Sequence, residues 1–393
     1  MSDLEQFRTD TRKWLAANCP PGARGPGQVA NGSSKIKIRD PDVTLWLDRM
    51  AEKGWTVPTW PREYGGGGLS TAEYVVLLEE MRAIGARPPL VNRGTSMVGP
   101  TLLEVGSEDQ KKRHLPAIAR GEGEWCQGYS EPGAGSDLAS LRTSAVLDGD
   151  HFVINGQKTW TSDADTSDWM FMLVRSDPDV PKHEGISFLL LTMDQPGIST
   201  TPIEMISGGS PFSETFFDNA FADKDDLIGG LNQGWSVGKR LLQHERSGME
   251  SLISGSAGTR PVGLVDTARG FLGEVDGRIA DDLARDDVLQ YEMHMRALQL
   301  TQRRSVEESS DGRTPGPATS IFKTVGTDLE KRYAELMTSL RGTQGYGWEG
   351  DSFSDEELAA TRRFLQSRAA SIYSGSNEIQ RNIIAKRVLG LPD

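Results

Sequence analysis

The spacing of apolar residues changes twice along this chain, and this pattern constrains the fold more than any other feature. Up to about residue 121, apolar side chains recur at three- to four-residue intervals, as in Leu4, Phe7 and Trp14. From Trp125 to about residue 229, short apolar and β-branched runs between Pro, Gly and Asp are typical of strands. Helical spacing then returns from about residue 233 to 391. The order of helices, sheet and helices predicts an α+β protein with domains at 1–121, 122–231 and 232–393.

The outer zones are expected to be helical. Ser70, followed three residues later by Glu73, predicts a helix start at 71. Gly65 to Gly68 form a glycine run, and because helices are predicted on both sides we interpret it as a connector rather than a phosphate-binding loop. The predicted helices cover residues 44–51, 71–84, 237–253, 288–303, 321–340, 356–371 and 379–388.

The central zone is expected to form an antiparallel sheet. Asp148-Gly149 and Asn155-Gly156 are hairpin signals between β-rich segments. Residues 169–174, 186–193 and 215–217 are compact apolar or β-branched runs. Their connections are too short for parallel crossovers, so antiparallel pairing is predicted.

Composition excludes several classes of protein. A net charge of −13 without a basic stripe argues against nucleic-acid binding. No apolar run approaches the roughly 20 residues of a membrane span, and the first residues lack a secretion signal. Two cysteines cannot form a disulfide framework, which favours the cytoplasm, and five histidines without metal-binding spacing predict no metal site.

Three blocks of sequence resemble the acyl-CoA dehydrogenase family. They are GYSEPGAGSD at 128–137, NGQKTWTS at 155–162 and SNEIQRNIIAKRVLG at 376–390. They follow the family's order and spacing, so the resemblance spans nearly the whole chain. It implies an N-terminal helical domain, a central antiparallel β-barrel-like domain and a C-terminal four-helix bundle. It also implies FAD as cofactor, an acyl-CoA substrate and assembly as tetramers or dimers.

The resemblance also implies which residues form the site. FAD contacts are assigned to Gln127, Tyr129, Ser130, Trp160, Ser162, Gly342, Ser376 and Glu378. Substrate contacts are assigned to Ser136, Gln243, Arg246, Tyr373, Ser374 and Gly375. From the residues alone, the loop at 130–136 could be an ordinary turn that exposes backbone N–H groups, and Trp160 could be a core residue.

The reaction needs a carboxylate that takes a proton from Cα while the flavin accepts a hydride from Cβ. Fixed hydrogen-bond donors must polarise the thioester carbonyl. Many family members place this carboxylate on a glutamate between a tyrosine and a glycine near the C-terminus. This chain has Ser374 between Tyr373 and Gly375, and a serine hydroxyl cannot act as this base near neutral pH.

A minority of the family carries the glutamate immediately before an arginine on a helix of the C-terminal domain. Glu245 and Arg246 match that arrangement. Helical spacing also places Glu245 on the apolar face of Leu241 and Met249, where a carboxylate is costly unless it is paired or functional. An ion pair is the alternative interpretation. With the resemblance, Glu245 is the predicted base, and burial should raise its pKa.

A second departure concerns contacts to FAD across a subunit interface. Many members have Arg-x-x-Phe-Gly followed some seven residues later by glutamine, whereas this chain has Arg269-Gly-Phe-Leu-Gly273 and no matching glutamine. Ser339 stands where the family places a glutamine before the 342–345 loop. The resemblance is to bacterial members that act on bulky or steroid-derived acyl-CoAs. We therefore weigh a heteromer with a related chain against a homo-oligomer with altered contacts.

The predicted function is FAD-dependent α,β-dehydrogenation of an acyl-CoA to the trans-2-enoyl-CoA, with an electron-transfer flavoprotein as acceptor. Two alternatives keep the fold: a noncatalytic partner subunit, and a flavin monooxygenase or oxidase. Small residues at 238, 247, 248 and 255 suggest room for a bulky acyl group near the base.

Overall fold

A computed structural model of the chain describes residues 3–247, 263–308 and 319–392, with side chains for all of these except 243–247 and 306–308. The described residues fall into two compact units. The first contains 3–203 and 210–247, and the second contains 204–209, 263–308 and 319–392.

Five helices begin the first unit. They are α1 (Asp3–Asn18), α2 (Pro41–Glu52), α3 (Thr71–Ala83), α4 (Gly99–Val105) and α5 (Glu108–Ala119). The predicted start of α3 is confirmed, because the Glu73 N–H donates to Ser70 Oγ at 3.3 Å and the Ser70 N–H donates to the Glu73 carboxylate at 2.8 Å. Buried Leu77 and Met81 of α3 share a core cluster with Leu15 of α1.

The glycine run at 65–68 is a closely packed connector. A Cβ on Gly66 would overlap the Trp60 carbonyl, and a Cβ on Gly54 would overlap the backbone of Gly66. The Gly68 N–H donates to the Trp60 carbonyl at 3.0 Å. Glycine is therefore needed here for the close approach of two backbone segments.

An eight-stranded sheet follows the helices. Its strands are β1 (Trp125–Gly128), β2 (Ser144–Asp148), β3 (His151–Ser162), β4 (Trp169–Arg175), β5 (Ile186–Thr192), β6 (Ile198–Ile203), β7 (Phe212–Asp223) and β8 (Leu227–Ile228). The order is β6-β7-β3-β2-β4-β5-β8, with β1 on β4. Within the described strands, β6 and β8 do not pair with each other, so the expected barrel-like domain is an open sheet.

Most of the pairs are antiparallel, as predicted, but β1 pairs with β4 in parallel. β2 also contacts β4 in parallel, through Ser144 and Arg175. The prediction assumed direct connections between neighbouring strands. Here the whole β2–β3 hairpin lies between β1 and β4 in sequence, which gives the chain enough length to return in the same direction.

The two hairpin signals have different outcomes. Asp148-Gly149 lies in the β2–β3 turn, as predicted. The prediction of a turn at Asn155-Gly156 is wrong, because β3 continues through both residues with a shift in its register against β7. A Cβ on Gly156 would lie 2.7 Å from Thr143 Oγ1, and Asn155 Oδ1 accepts the Asn219 N–H at 2.9 Å. The dipeptide supports a bulge in a long strand.

β4 is buried on both faces. Phe171 and Leu173 pack into the core cluster shared with the helices, and Met170 and Met172 pack into the cluster on the opposite face. Helix α6 (Gly234–Ser247) packs on β4 and β5 within the same unit.

The second unit is helical, as expected. Its helices are α7 (Leu264–Leu272), α8 (Asp282–Glu308), α9 (Ser320–Ser339), α10 (Asp355–Ser367) and α11 (Asn377–Ile383). α9 packs against the other four helices. Helix α7 was not predicted, and neither was the short hairpin of β9 (Glu274–Val275) and β10 (Arg278–Ile279).

None of the described helices is both long and apolar enough to cross a membrane. In the part of the chain that the structure describes, no three His, Cys, Asp or Glu side chains are grouped so that they could hold a metal ion. The division into domains at 1–121, 122–231 and 232–393 stays a prediction.

Candidate active site

The loop at residues 129–137, which leaves β1, has a buried base and an open tip. The Tyr129 ring is buried and meets the rings of Phe171 and Phe188 edge-on, with centroids 6.0 and 6.4 Å apart. At the tip, a Cβ on Gly133 or Gly135 would meet no atom within 4 Å. The predicted site residues Gln127 and Ser130 are half-buried, and Ser136 is exposed. The loop therefore presents small and polar groups from a fixed base.

Strand β3 holds the base of this loop. The Thr159 N–H donates to the Ser130 carbonyl at 2.9 Å. The ammonium group of Lys158, which is fully buried, donates to the Tyr129 carbonyl at 3.1 Å and to Glu131 Oε1 at 2.8 Å. Burial lowers the pKa of Lys158 to about 8, against the opposing effect of Glu131. Burial also acts to raise the pKa of Glu131, but Lys158 together with the hydrogen bonds from Thr143 and Arg142 lowers this pKa overall.

A bulge in β3 places Trp160 at the surface. Lys158 pairs with Thr215 of β7 and Thr161 pairs with Ser213, so two residues of β3 oppose the single residue Glu214. Trp160 has a left-handed backbone, with φ of 58°. Its indole is 54% exposed, so the alternative of a core tryptophan is wrong. The hydrogen bond from Thr159 to Ser130 brings this bulge beside the loop.

Charged side chains lie just beyond the end of β3. Ser162, the last residue of β3, is half-buried and precedes Asp163. Arg93 donates to Asp163 at 3.0 Å and to Glu124 at 3.3 Å. Glu124 is 3% exposed, and its Oε2 has no hydrogen-bond partner among the described residues. Burial raises the pKa of Glu124 to about 7, although Arg93 acts to lower it.

Helix α6 passes close to the loop base. Its Val237 and Leu241 are buried in the same cluster as Tyr129. A Cβ on Gly238 would lie 3.4 Å from the Tyr129 hydroxyl and 3.1 Å from Leu173. The helix is therefore packed directly against the residue that begins the 129–137 loop.

The backbone of α6 includes three predicted site residues, Gln243, Glu245 and Arg246. Their side chains lie outside the described residues, as do residues 248–262 with Gly248 and Gly255. The role of Glu245 therefore stays a prediction.

The second unit carries a loop of predicted substrate residues before α11. Tyr373 is 46% exposed, and Lys323 Nζ lies 4.6 Å from the centroid of its ring. Ser374 and Gly375 both have left-handed backbones, with φ of 53° and 85°. The Gln380 side chain donates to the Gly375 carbonyl at 3.4 Å. This loop turns sharply and leaves its residues 373–375 exposed.

The remaining predicted FAD residues also lie in this unit. Ser376 caps α11, with its Oγ accepting the Ile379 N–H at 3.5 Å, and Glu378 is exposed in the first turn of that helix. Gly342, with φ of 57°, is exposed at the start of the 3₁₀ turn Gly342–Tyr346. Arg269 belongs to the interface motif that differs from the family pattern. It contacts residues of its own segment, forming an ion pair with Glu274 at 2.9 Å and donating to the Gly277 carbonyl at 2.8 Å.

Four charged residues were not predicted from the sequence: Glu131 and Lys158 beneath the loop, and Glu124 and Arg93 beyond the end of β3. Each pair joins residues that are far apart in sequence, so no local spacing reveals it. The one available signal was the charge itself, since a lysine in the middle of a strand needs a partner if it is buried.

Comparisons with known proteins match the chain along its whole length. Family models for acyl-CoA dehydrogenases match the N-terminal domain at residues 1–122, the middle domain at 126–220 and the C-terminal domain at 232–389. The acyl-CoA dehydrogenase IpdE1 of Mycobacterium tuberculosis is 39% identical over 399 residues, which cover 100% of this chain and 99% of the relative. The acyl-CoA dehydrogenase FadE34 of the same organism is 36% identical over 87% of this chain and 45% of the relative.

Two solved structures are also similar. One, a steroid ACAD described as Tcur3481-Tcur3483, has a TM-score of 0.77 and 29% identity, covering 100% of this chain and 98% of that one. The other, the ChsE4-ChsE5 complex from Mycobacterium tuberculosis, has a TM-score of 0.75 and 28% identity, with the same coverage.

Proposed function

Because the chain belongs to the acyl-CoA dehydrogenase family and is thus an oxidoreductase, we propose that it desaturates an acyl-CoA thioester between Cα and Cβ. The product would be the trans-2-enoyl-CoA. The observation that carries the proposal is the hydrogen bond between Thr159 and Ser130, because it brings the open 129–137 loop beside the exposed indole of Trp160.

The residues at this place suit FAD. An indole exposed at a strand bulge offers an apolar face that a flat aromatic ring can cover. Two glycines at the loop tip leave space beside it, and Ser130 and Ser162 supply hydroxyl groups. In the first unit, the proposed FAD contacts are Gln127, Tyr129, Ser130, Trp160 and Ser162. In the second unit, they are Gly342, Ser376 and Glu378. When bound, FAD supplies the acceptor for the hydride that leaves Cβ.

Glu245 is the proposed base for the Cα proton. The α6 backbone supports this role, because Gly238 packs near Tyr129 and position 245 follows seven residues later, about 10 Å along a helix axis. Buried Val237 and Leu241 precede it at four-residue spacing, which predicts that position 245 continues the same face. Gln243 and Arg246 are proposed to contact the substrate from the neighbouring turns.

The serine at position 374 supports Glu245 as the base, because it excludes the usual position of the family's glutamate. It occupies the place of the usual family glutamate, and its hydroxyl has no useful basicity near neutral pH. The exposed loop at Tyr373, Ser374 and Gly375 is proposed to bind the thioester end of the substrate, and Ser136 is proposed to contact the CoA part. If the chain is catalytic, the carboxylate must therefore come from another element, and α6 supplies one.

The names of the relatives guide the proposed substrate and assembly. One similar structure is described as a steroid ACAD, and the other is a complex of two differently named chains. We propose a bulky, ring-containing acyl-CoA as substrate, a related partner chain in the assembly and an electron-transfer flavoprotein as acceptor. The lack of the family's interface glutamine after Arg269 supports the heteromer over a homo-oligomer. A cytoplasmic location stays a prediction.

The test uses the protein purified with any chain that accompanies it. Under anaerobic conditions, ring-containing and linear acyl-CoAs are added and bleaching of the flavin is followed. Glu245→Gln should keep the yellow colour and lose about 10³-fold in turnover, since it removes general-base catalysis. Adding Ser374→Glu to this variant should restore part of the turnover.

Glu104→Gln is the matched control. Glu104 lies on α4 and pairs with Arg240 of α6, the helix that also carries Glu245. The variant therefore disturbs α6 without touching the proposed base, and turnover should change less than about threefold. Full turnover in Glu245→Gln would refute the base. If no acyl-CoA bleaches the wild-type flavin, the noncatalytic-subunit alternative holds. If the reduced flavin passes its electrons rapidly to oxygen, the oxidase or monooxygenase alternative holds.

A further inference from the structure

A buried ion pair fastens three backbone segments beneath the 129–137 loop. Lys158 and Glu131, 0% and 9% exposed, are joined at 2.8 Å. Glu131 also accepts the backbone N–H groups of Arg142 at 2.7 Å and Thr143 at 2.9 Å. Lys158 also donates to the Tyr129 carbonyl at 3.1 Å. The pair thus ties the loop, the approach to β2, and β3 to one point, which we call the loop clamp (Lys158 and Glu131).

The loop clamp lies where the site geometry is decided. Lys158 is the last regularly paired residue of β3 before the bulge at Thr159 and Trp160. On the other side, Glu131 directly follows Ser130 in the loop. The two sides of the proposed flavin site, Ser130 and Trp160, therefore each lie within two residues of the loop clamp.

Stability alone is a weak reason for such a pair. Taking two charges out of water costs several kcal/mol per ion, and buried pairs are often replaceable by apolar residues without loss of stability. Here the two charged groups also hold three backbone groups with fixed geometry, which apolar side chains cannot do.

We propose that Lys158 and Glu131 are positioning residues for FAD, setting the separation of Ser130 and Trp160 and thereby the affinity for the flavin ring. The inference rests on the proposed function, because it assumes that FAD lies between these residues. Neither residue of the loop clamp is proposed to contact FAD or the acyl-CoA.

The test compares Lys158→Met with the double variant Lys158→Met/Glu131→Met. The single variant leaves a buried, unpaired carboxylate and should lose both thermal stability and FAD affinity. The double variant removes the unpaired charge, so its melting temperature should rise above that of the single variant. Its FAD affinity should stay at least about tenfold weaker than in the wild type, with an altered visible circular dichroism of the bound flavin. Lys158→Met alone frees only the Tyr129 carbonyl, whereas the double variant also frees the N–H groups of Arg142 and Thr143.

Glu80→Met is the control for loss of a buried carboxylate elsewhere. Glu80 is 4% exposed and bonds Arg8 and Arg12 of α1 at 2.8 to 3.0 Å. This variant should lose thermal stability and keep wild-type FAD affinity and flavin dichroism.

Two results would overturn the loop clamp as a positioning device. One is wild-type FAD affinity and dichroism in the double variant, and the other is FAD affinity that follows the melting temperature across all three variants. A wild-type protein that binds no FAD at all would instead refute the proposed function, so the two failures are distinguishable.

Discussion

Replacing Glu124 by glutamine should stabilise the protein at about pH 8 and leave its stability near pH 4.5 unchanged. Glu124 is buried, and Oε2 has no hydrogen-bond partner among the described residues. Burial raises its pKa from 4.5 to about 7. At about 1.36 kcal/mol for each tenfold change in proton affinity, this difference in pKa corresponds to roughly 3 kcal/mol in the free energy of unfolding.

The sign follows from proton linkage. Because the pKa is higher in the folded state, the folded protein holds this proton more tightly than the unfolded chain does. The associated stability is complete below about pH 4.5 and is lost as pH rises through about 7. Glutamine has no such proton and resembles the neutral acid, and Arg93 keeps its bond to Asp163 in the variant. The variant should therefore lack this decline.

Urea unfolding of both proteins at several values between about pH 4.5 and 8 measures the effect. The difference in the free energy of unfolding should grow from near zero to roughly 3 kcal/mol in favour of the variant. Titrating groups that do not interact with Glu124 affect both proteins equally and cancel in the difference. Parallel pH profiles would show that Glu124 ionises normally, and a less stable variant at pH 8 would show that its ion pair with Arg93 outweighs burial.

Two further predictions concern Lys158 and Gly99. Burial lowers the pKa of Lys158 to about 8, so raising the pH through 8 should discharge it beside Glu131, whose charge also interacts with Arg175. This should weaken FAD retention, with a midpoint near pH 8 that is absent from Lys158→Met. Because this folded-state pKa lies below the usual 10.5, the same titration should raise the free energy of unfolding between about pH 8 and 10.5. Release of FAD from protein that stays folded would therefore show that the loss comes from the titration of Lys158 and not from unfolding. Gly99→Ala should lower the free energy of unfolding by about 1–3 kcal/mol, because its Cβ would collide with the Trp60 ring. Urea unfolding measures this loss, and Gly270→Ala is the control. A Cβ at Gly270 meets nothing within 4 Å, so this variant should be as stable as the wild type or slightly more stable. Equal losses of stability in both variants would show that the contact with Trp60 is not the cause.

The architecture was predictable because its signals are local. Helical spacing, the capping box at Ser70 and the Asp148-Gly149 turn each depend on residues within a few positions of one another. The parallel pairing of β1 with β4 was missed because it depends on how a whole hairpin folds back. Asn155-Gly156 misled because the same dipeptide suits a turn and a bulge, and only contacts with Thr143 and Asn219 decide between them.

The site was predictable only in part. The resemblance identified the 129–137 loop and Trp160, and the structure brings these two together. The loop clamp was not predictable, because Lys158 and Glu131 are 27 residues apart and meet only when β3 lies beneath the loop. The assignments of Glu245 and of the FAD contacts stay predictions.

Because of the bulge in β3, residues of the proposed site can change without changes in the pairing of the sheet. Thr159 and Trp160 oppose one residue of β7, while Lys158 and Thr161 on either side keep normal partners. A change of residue type, or even of length by one, between those partners can be absorbed locally without shifting the ladder on either flank. The residue proposed to face the cofactor can therefore vary from one descendant of this chain to another while the same scaffold is inherited.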